Sequence, residues 1–161
     1  MQKLAPFIFS ILLVAGAHAA EYPKMGEDIY DTQADRGGQI EAALTQAKAE
    51  GKNVLIMFGA NWCVWCHRLH HTISTNADIA AVLKRDFVTV IVDLNTRNGT
   101  KRNAEVNLKY GNPMQHGLPV LVLLDAEGKQ LTTQETGALE EGAGHSPDKI
   151  TAFLVQWSPQ R

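Results

Sequence analysis

The apolar positions of this chain follow two different rhythms, and they alternate. Ile40, Ala43, Leu44 and Ala47 recur at helical spacing and Gly51 supplies a stop, which predicts a helix over 35–50. Val54-Leu55-Ile56-Met57-Phe58 is a continuous apolar run of strand length, the mark of a strand covered on both faces. Gly59-Ala60-Asn61 turns the chain into a second helix starting near Cys63, with Cys66, Leu69 and Ile73 as its inward stripe. A short helix over 76–84 follows, then a second buried-strand run over 87–92 that closes at Asp93. Thr96-Arg97-Asn98-Gly99 reads as a solvated turn and 101–110 as a weaker helix. Pro119 opens a strand over 120–124, and Asp125-Ala126-Glu127-Gly128 turns it back as an antiparallel partner over 129–135. Ser146-Pro147-Asp148 carries a capping hydroxyl, a first-turn proline and an acid, so a last helix runs to about Trp157. Parallel crossovers followed by a closing hairpin give an α/β fold with a mixed central sheet flanked by helices.

The first residues stand outside this scheme. Lys3 precedes a mostly apolar run over 4–16, and Ala17-His18-Ala19 offers an A-x-A cleavage pattern before Ala20. Such a run falls short of the about 20 residues that cross a bilayer, so 1–19 reads as a cleaved secretory signal. Residues 20–34 have no clear period and read as an N-terminal extension packing on a domain over 35–161. The 161 residues, 45% of them hydrophobic, suffice for one core. Without the signal, 14 basic and 17 acidic side chains leave a net charge of −3. That balance excludes nucleic acid as a partner, and no charge block suggests a membrane-surface helix.

The two cysteines change the picture most. An exported chain ordinarily spends cysteines on structural bridges. Here Cys63 and Cys66 are three positions apart, and a bridge over so short a loop stabilises little. Reactivity explains the pair better. At a helix N-terminus, free backbone N–H groups and the positive end of the helix dipole lower a thiol's pKa, and the thiolate is the attacking species. One turn on, Cys66 points inward, placed to resolve a mixed disulfide formed at Cys63. Cys63 is thus the exposed nucleophile and Cys66 the sheltered resolving thiol.

Ala60-Asn61-Trp62-Cys63-Val64-Trp65-Cys66 resembles the periplasmic catalytic domain of DsbD-type thiol:disulfide interchange proteins, and also small exported disulfide-isomerase-like proteins of the thioredoxin-like family. The resemblance runs over about 53–128. It includes Val92-Asp93 closing the middle strand, Gly117-Leu118-Pro119 opening the next, and the 125–129 hairpin. It implies a thioredoxin fold and a thiol–disulfide oxidoreductase, reductase or isomerase. It also implies that Pro119 is cis and faces the cysteines, interrupting the sheet edge so that the backbone of Leu118 can pair with a substrate strand. Trp62 then shields the cysteines, while Trp65, Gly117 and Leu118 form the substrate contact; the alternative for either tryptophan is packing alone. Three departures stand out. Met57 occupies the place of a buried acid that many thioredoxins use in proton transfer. The 112–116 segment enlarges the loop before Pro119. Val64 and Trp65 separate the cysteines without a proline.

Other readings compete. Cys63-Val64-Trp65-Cys66-His67 satisfies the C-x-x-C-H haem attachment pattern, with His67 as axial ligand, but it follows a buried strand. Cys63, Cys66, His67 and His70 could hold copper(I) or zinc, although no second ligand pair stands at finger-like spacing. A thioredoxin-fold chaperone or adaptor without turnover is the binding-only alternative. His67 either favours the Cys63 thiolate or is a solvent-facing helix residue; Arg68 and His71 read as solvent-facing. Met114 and His116 read as loop residues without a role, and His145 as the run-in to the last helix. The expectation is a monomeric periplasmic enzyme that needs no dissociable cofactor and no metal. Its redox group is the cysteine pair, and its partners are protein thiols and disulfides, with a membrane electron donor as a further candidate.

Overall fold

The computed structural model describes residue 22 and residues 25–160. The expected signal and its cleavage point lie outside the described residues. Helix α1 spans Arg36–Glu50, with Asp35 accepting from the Gly38 N–H at its start and Gly51 in the left-handed conformation at its end. Strand β1 (Asn53–Gly59) is buried at every position. It leads into α2 (Val64–Thr75), α3 (Ala77–Asp86), β2 (Phe87–Asp93) and the short α4 (Ala104–Lys109). Strands β3 (Val120–Leu124) and β4 (Gln130–Glu135) form the closing hairpin. Asp125 organises its turn by accepting from the N–H groups of Glu127 and Lys129. A two-stranded hairpin of β5 (Glu140–Glu141) and β6 (Gly144–His145) precedes α5 (Pro147–Gln156).

The main sheet has the order β2-β1-β3-β4, with β1 parallel to β2 and antiparallel to β3. The alternation of the strands shows why their sequence is apolar throughout. Val54, Ile56 and Phe58 face α1, while Leu55 and Met57 face Leu69, Ile79 and Phe153 of α2, α3 and α5. Both faces are covered, so period two disappears into a continuous run.

Several expectations need correction. Among the described strands, the one closing at Asp93 lies at the edge of the sheet, not in its middle. Pro119 does not break a sheet edge, because β3 is an interior strand flanked by β1 and β4; the proline stands just before its first paired residue. The capping role of Ser146 fails: α5 starts there through the Ser146 carbonyl, but the side chain makes no capping bond. The 112–116 loop is ordered as a 3₁₀ turn, Pro113–His116. Asn107 holds it by donating to Asn112 and accepting from the Met114 N–H, and Met114 packs on the core. No described helix is long and apolar enough to cross a membrane.

Candidate active site

Cys63 is the N-cap of α2. Its extended backbone leaves the helix's first N–H groups free, and its Sγ accepts the Cys66 N–H at 3.1 Å. Its carbonyl accepts from Cys66 N and His67 N at 3.0 and 3.2 Å. A serine or aspartate ordinarily fills that place; a sulfur there is a capping acceptor whose bond to a backbone donor strengthens when it is ionised. Cys63 and Cys66 form a disulfide, with their Cα atoms 5.2 Å apart. Cys63 is only 6% exposed and Cys66 1%. Cys63 is the less covered of the two, yet it lacks the exposure expected of it. Trp62, Trp65 and Leu118 pack around the pair.

The Leu118–Pro119 bond is cis, and Cys63 Sγ lies 3.6 Å from the Leu118 carbonyl oxygen. The peptide before Pro119 therefore stands against the sulfur. Gly117, exposed and at φ 88°, makes the turn from the 3₁₀ segment into this peptide. The Thr136 hydroxyl fixes the far side by donating to the Pro119 carbonyl at 2.7 Å.

The aromatic residues are held from outside the motif. Trp62 donates through Nε1 to Asn95 Oδ1 at 2.9 Å, and the Arg97 guanidinium lies 3.8 Å over its ring. Trp65 is half-buried between the Arg68 guanidinium, 4.6 Å from its centroid, and the edge of His145, 5.7 Å away. Arg68 is thus a packing partner of Trp65, and His71 packs edge-on against Tyr22, so neither is merely solvent-facing. His145 does stand directly before the last helix, but as a buried strand residue under the motif's second tryptophan.

His67 is buried, which overturns its reading as a surface residue. Its Nε2 engages the Asn61 carbonyl at 2.8 Å, and its Nδ1 lies on the side of Gly26. That arrangement pins the loop preceding Trp62, and it occupies the nitrogen that a haem ligand would need. His70 is held below the usual imidazole range by burial, then by the charges of His67 and His71. Among the described residues no group of three or more His, Cys, Asp or Glu side chains is placed to hold a metal ion. Met57 sits among Leu55, Leu69 and Leu121, so the usual acid position is apolar in three dimensions too.

Sequence reasoning missed Tyr30, Asn61, Asn95 and Thr136. Asn61 was legible as a turn residue only. Its side chain accepts from the N–H groups of Ile29 and Tyr30, at 3.0 and 2.8 Å, and donates to the Tyr30 carbonyl at 2.9 Å.

A cysteine pair at the head of the helix that follows the first strand, faced by a proline peptide across the sheet, defines a thioredoxin-fold thiol–disulfide oxidoreductase. The chain belongs to the thioredoxin-like family, whose model matches residues 34–126. Among solved structures, the disulphide isomerase of Xylella fastidiosa Temecula1 is 31% identical, with a TM-score of 0.69 over 86% of this chain and 98% of that one. The disulfide bond reductase DsbH of Chlamydia pneumoniae is 27% identical over 149 residues, 86% of each chain. The thiol:disulfide interchange protein DsbD of Colwellia psychrerythraea is 29% identical over 119 residues; these are 71% of this chain but only 18% of that protein.

Proposed function

We propose that this protein is an exported, periplasmic oxidoreductase that exchanges disulfides with protein substrates. Cys63 is the nucleophile and Cys66 the resolving thiol. The observation that carries the reading is the Cys63 sulfur itself, which caps α2 and stands 3.6 Å from the Leu118 carbonyl. The helix end favours the thiolate. An extended substrate segment lying along Gly117-Leu118 brings its own sulfur to that thiolate, and main-chain pairing there asks little of the partner's sequence. Trp62 and Pro119 wall the site, Trp65 offers a flat apolar contact, and His67 holds the approach loop.

The redox group is the cysteine pair, so no dissociable cofactor or metal takes part. The names of the relatives, a disulfide bond reductase and a thiol:disulfide interchange protein, support disulfides as substrates; protein thiols and disulfides are the partners we propose, with a membrane electron donor as a further one. The protein acts as a monomer. Residues 1–19 serve as the export signal, which leaves 20–34 as an extension of the 35–161 domain.

The test is an insulin reduction assay and a scrambled-ribonuclease assay on wild type, Cys63→Ser and Cys66→Ser. Loss of both activities in Cys63→Ser, with Cys66→Ser trapping a mixed disulfide, is the expected result. Client binding that survives Cys63→Ser, without wild-type turnover in either assay, would make the protein a binder instead. A mature N-terminus at Ala20 in the periplasmic fraction, read by mass spectrometry, tests export.

A further inference from the structure

The segment before α1 brings Tyr30 into the cysteine cluster, with Ile29 packed against it. Tyr30 is 3% exposed and packs in one cluster with Cys63 and Cys66. The three Asn61 hydrogen bonds fix its backbone, so its ring enters the site at a set place. There it meets the end of β1. A Cβ on Gly59 would stand 2.8 Å from Cys66 Sγ and would collide with the Tyr30 hydroxyl and the ring carbon bearing it. With no side chain at Gly59, nothing stands between the phenol and the Cys66 sulfur at the end of β1. Asp93 is the register partner of Gly59 on β2, so its side chain leaves the sheet on the same face. It is buried, with Oδ2 on Arg102 and Oδ1 without a hydrogen-bond partner among the described residues.

We propose that the Tyr30 hydroxyl is the hydrogen-bond donor of the resolving thiol, bonding to Cys66 Sγ when that sulfur carries negative charge. The proposal rests on Cys66 being the resolving thiol. In the first half of the exchange, the Cys63 thiolate bonds to one sulfur of a disulfide, whose S–S bond breaks, and one thiolate leaves. In the second, Cys66 gives up its proton to solvent and attacks Cys63 Sγ. The Cys63–Cys66 bond closes, the bond to the substrate breaks, and the second thiolate departs and takes up a proton. The substrate disulfide gains two electrons and the cysteine pair loses two. The charge on Cys66 therefore arises in a buried place, where it needs a donor. Met57, in the apolar cluster, cannot supply one. Burial, and next the charge of Asp93, hold the phenol above its ordinary pKa, so Tyr30 keeps its proton and acts as donor, not base. Tyr30 lies outside the family-matched stretch 34–126, so the donor comes from a segment that the motif does not announce.

The reagent DTNB tests this on the whole reduced protein. Its first released thiolate reports attack by Cys63, and its second reports closure by Cys66. Tyr30→Phe keeps the ring and the Asn61 bonds and loses only the oxygen. The second phase should slow about tenfold, the scale of one charge-assisted hydrogen bond. The first phase should be unchanged, and raising the pH should restore the second by ionising Cys66 without help. Tyr30→3-fluorotyrosine, a stronger donor of nearly the same shape, should speed the second phase. Both phases slowing together in Tyr30→Phe, or neither slowing, overturns the proposal. DTNB needs no protein substrate, so the result stands apart from the insulin and ribonuclease assays.

Discussion

His145 makes the chain's stability depend on pH in a way that can be worked out from its surroundings. It is 1% exposed, lies under Trp65 with the rings at 88°, and neither of its ring nitrogens has a hydrogen-bond partner among the described residues. Burial first, and then the charge of Arg68, push its pKa down from 6.5 to about 4. A proton therefore binds the unfolded chain more readily than the folded one. Above pH 6.5 the neutral ring costs nothing of this kind; between 6.5 and about 4 each step toward acid favours unfolding; below 4 the effect is complete. At about 1.4 kcal/mol per pH unit the ceiling is about 3 kcal/mol, and an effective dielectric well above that of a dry interior reduces it to about 1–2 kcal/mol. His145→Phe keeps an aromatic edge against Trp65 and removes both nitrogens and the titration. Urea unfolding of both proteins from pH 7.5 to 4.5 isolates the term, because every other group titrates alike in the two. Wild type should lose about 1–2 kcal/mol more than the variant across that range. At pH 7.5 the variant should be at least as stable, since two unpaired polar atoms are gone. Parallel curves would refute the reasoning.

Three further outcomes are expected. Gly59→Ala places a methyl into Tyr30 and Cys66, so it should cost about 1–3 kcal/mol in thermal or urea unfolding and slow closure by Cys66. Asn61→Ala removes the three bonds to Ile29 and Tyr30; limited proteolysis should cut within 25–34 at protease levels that leave wild type intact, with a loss of about 1–3 kcal/mol. Thr136→Val leaves the Pro119 carbonyl without its hydroxyl donor. It should cost about 1–2 kcal/mol in urea unfolding while keeping the Cys63 attack rate within a few-fold.

What could be read from the sequence was what local pattern encodes. The apolar runs of β1, β2 and β3 identify buried strands because both sheet faces are covered, and the spacing of Cys63 and Cys66 identifies the helix end that holds them. What escaped depends on contacts between distant parts of the chain. Tyr30 meets Asn61 across 31 positions, and Trp62 meets Asn95 across 33; no periodicity carries that information. His145 sits in a strand of two residues, too short to show alternation, and its burial comes from Trp65 on another element. The edge position of β2 was hidden for a related reason: a strand covered on both faces reads alike at the rim and in the middle. His67 lies on a helix face that looks polar, yet the loop it anchors folds back over it.

The Asn61 clamp bears on how this protein should be cut and recombined. A fragment trimmed to residues 34–126 would retain both cysteines and Pro119 but lose Tyr30, Thr136 and His145, and with them a ring of the cysteine cluster, the donor to the Pro119 carbonyl and the ring against Trp65. Grafting the W-C-V-W-C stretch into another scaffold would likewise transplant the sulfurs without their surroundings. The working unit is the motif together with the strap that Asn61 ties down.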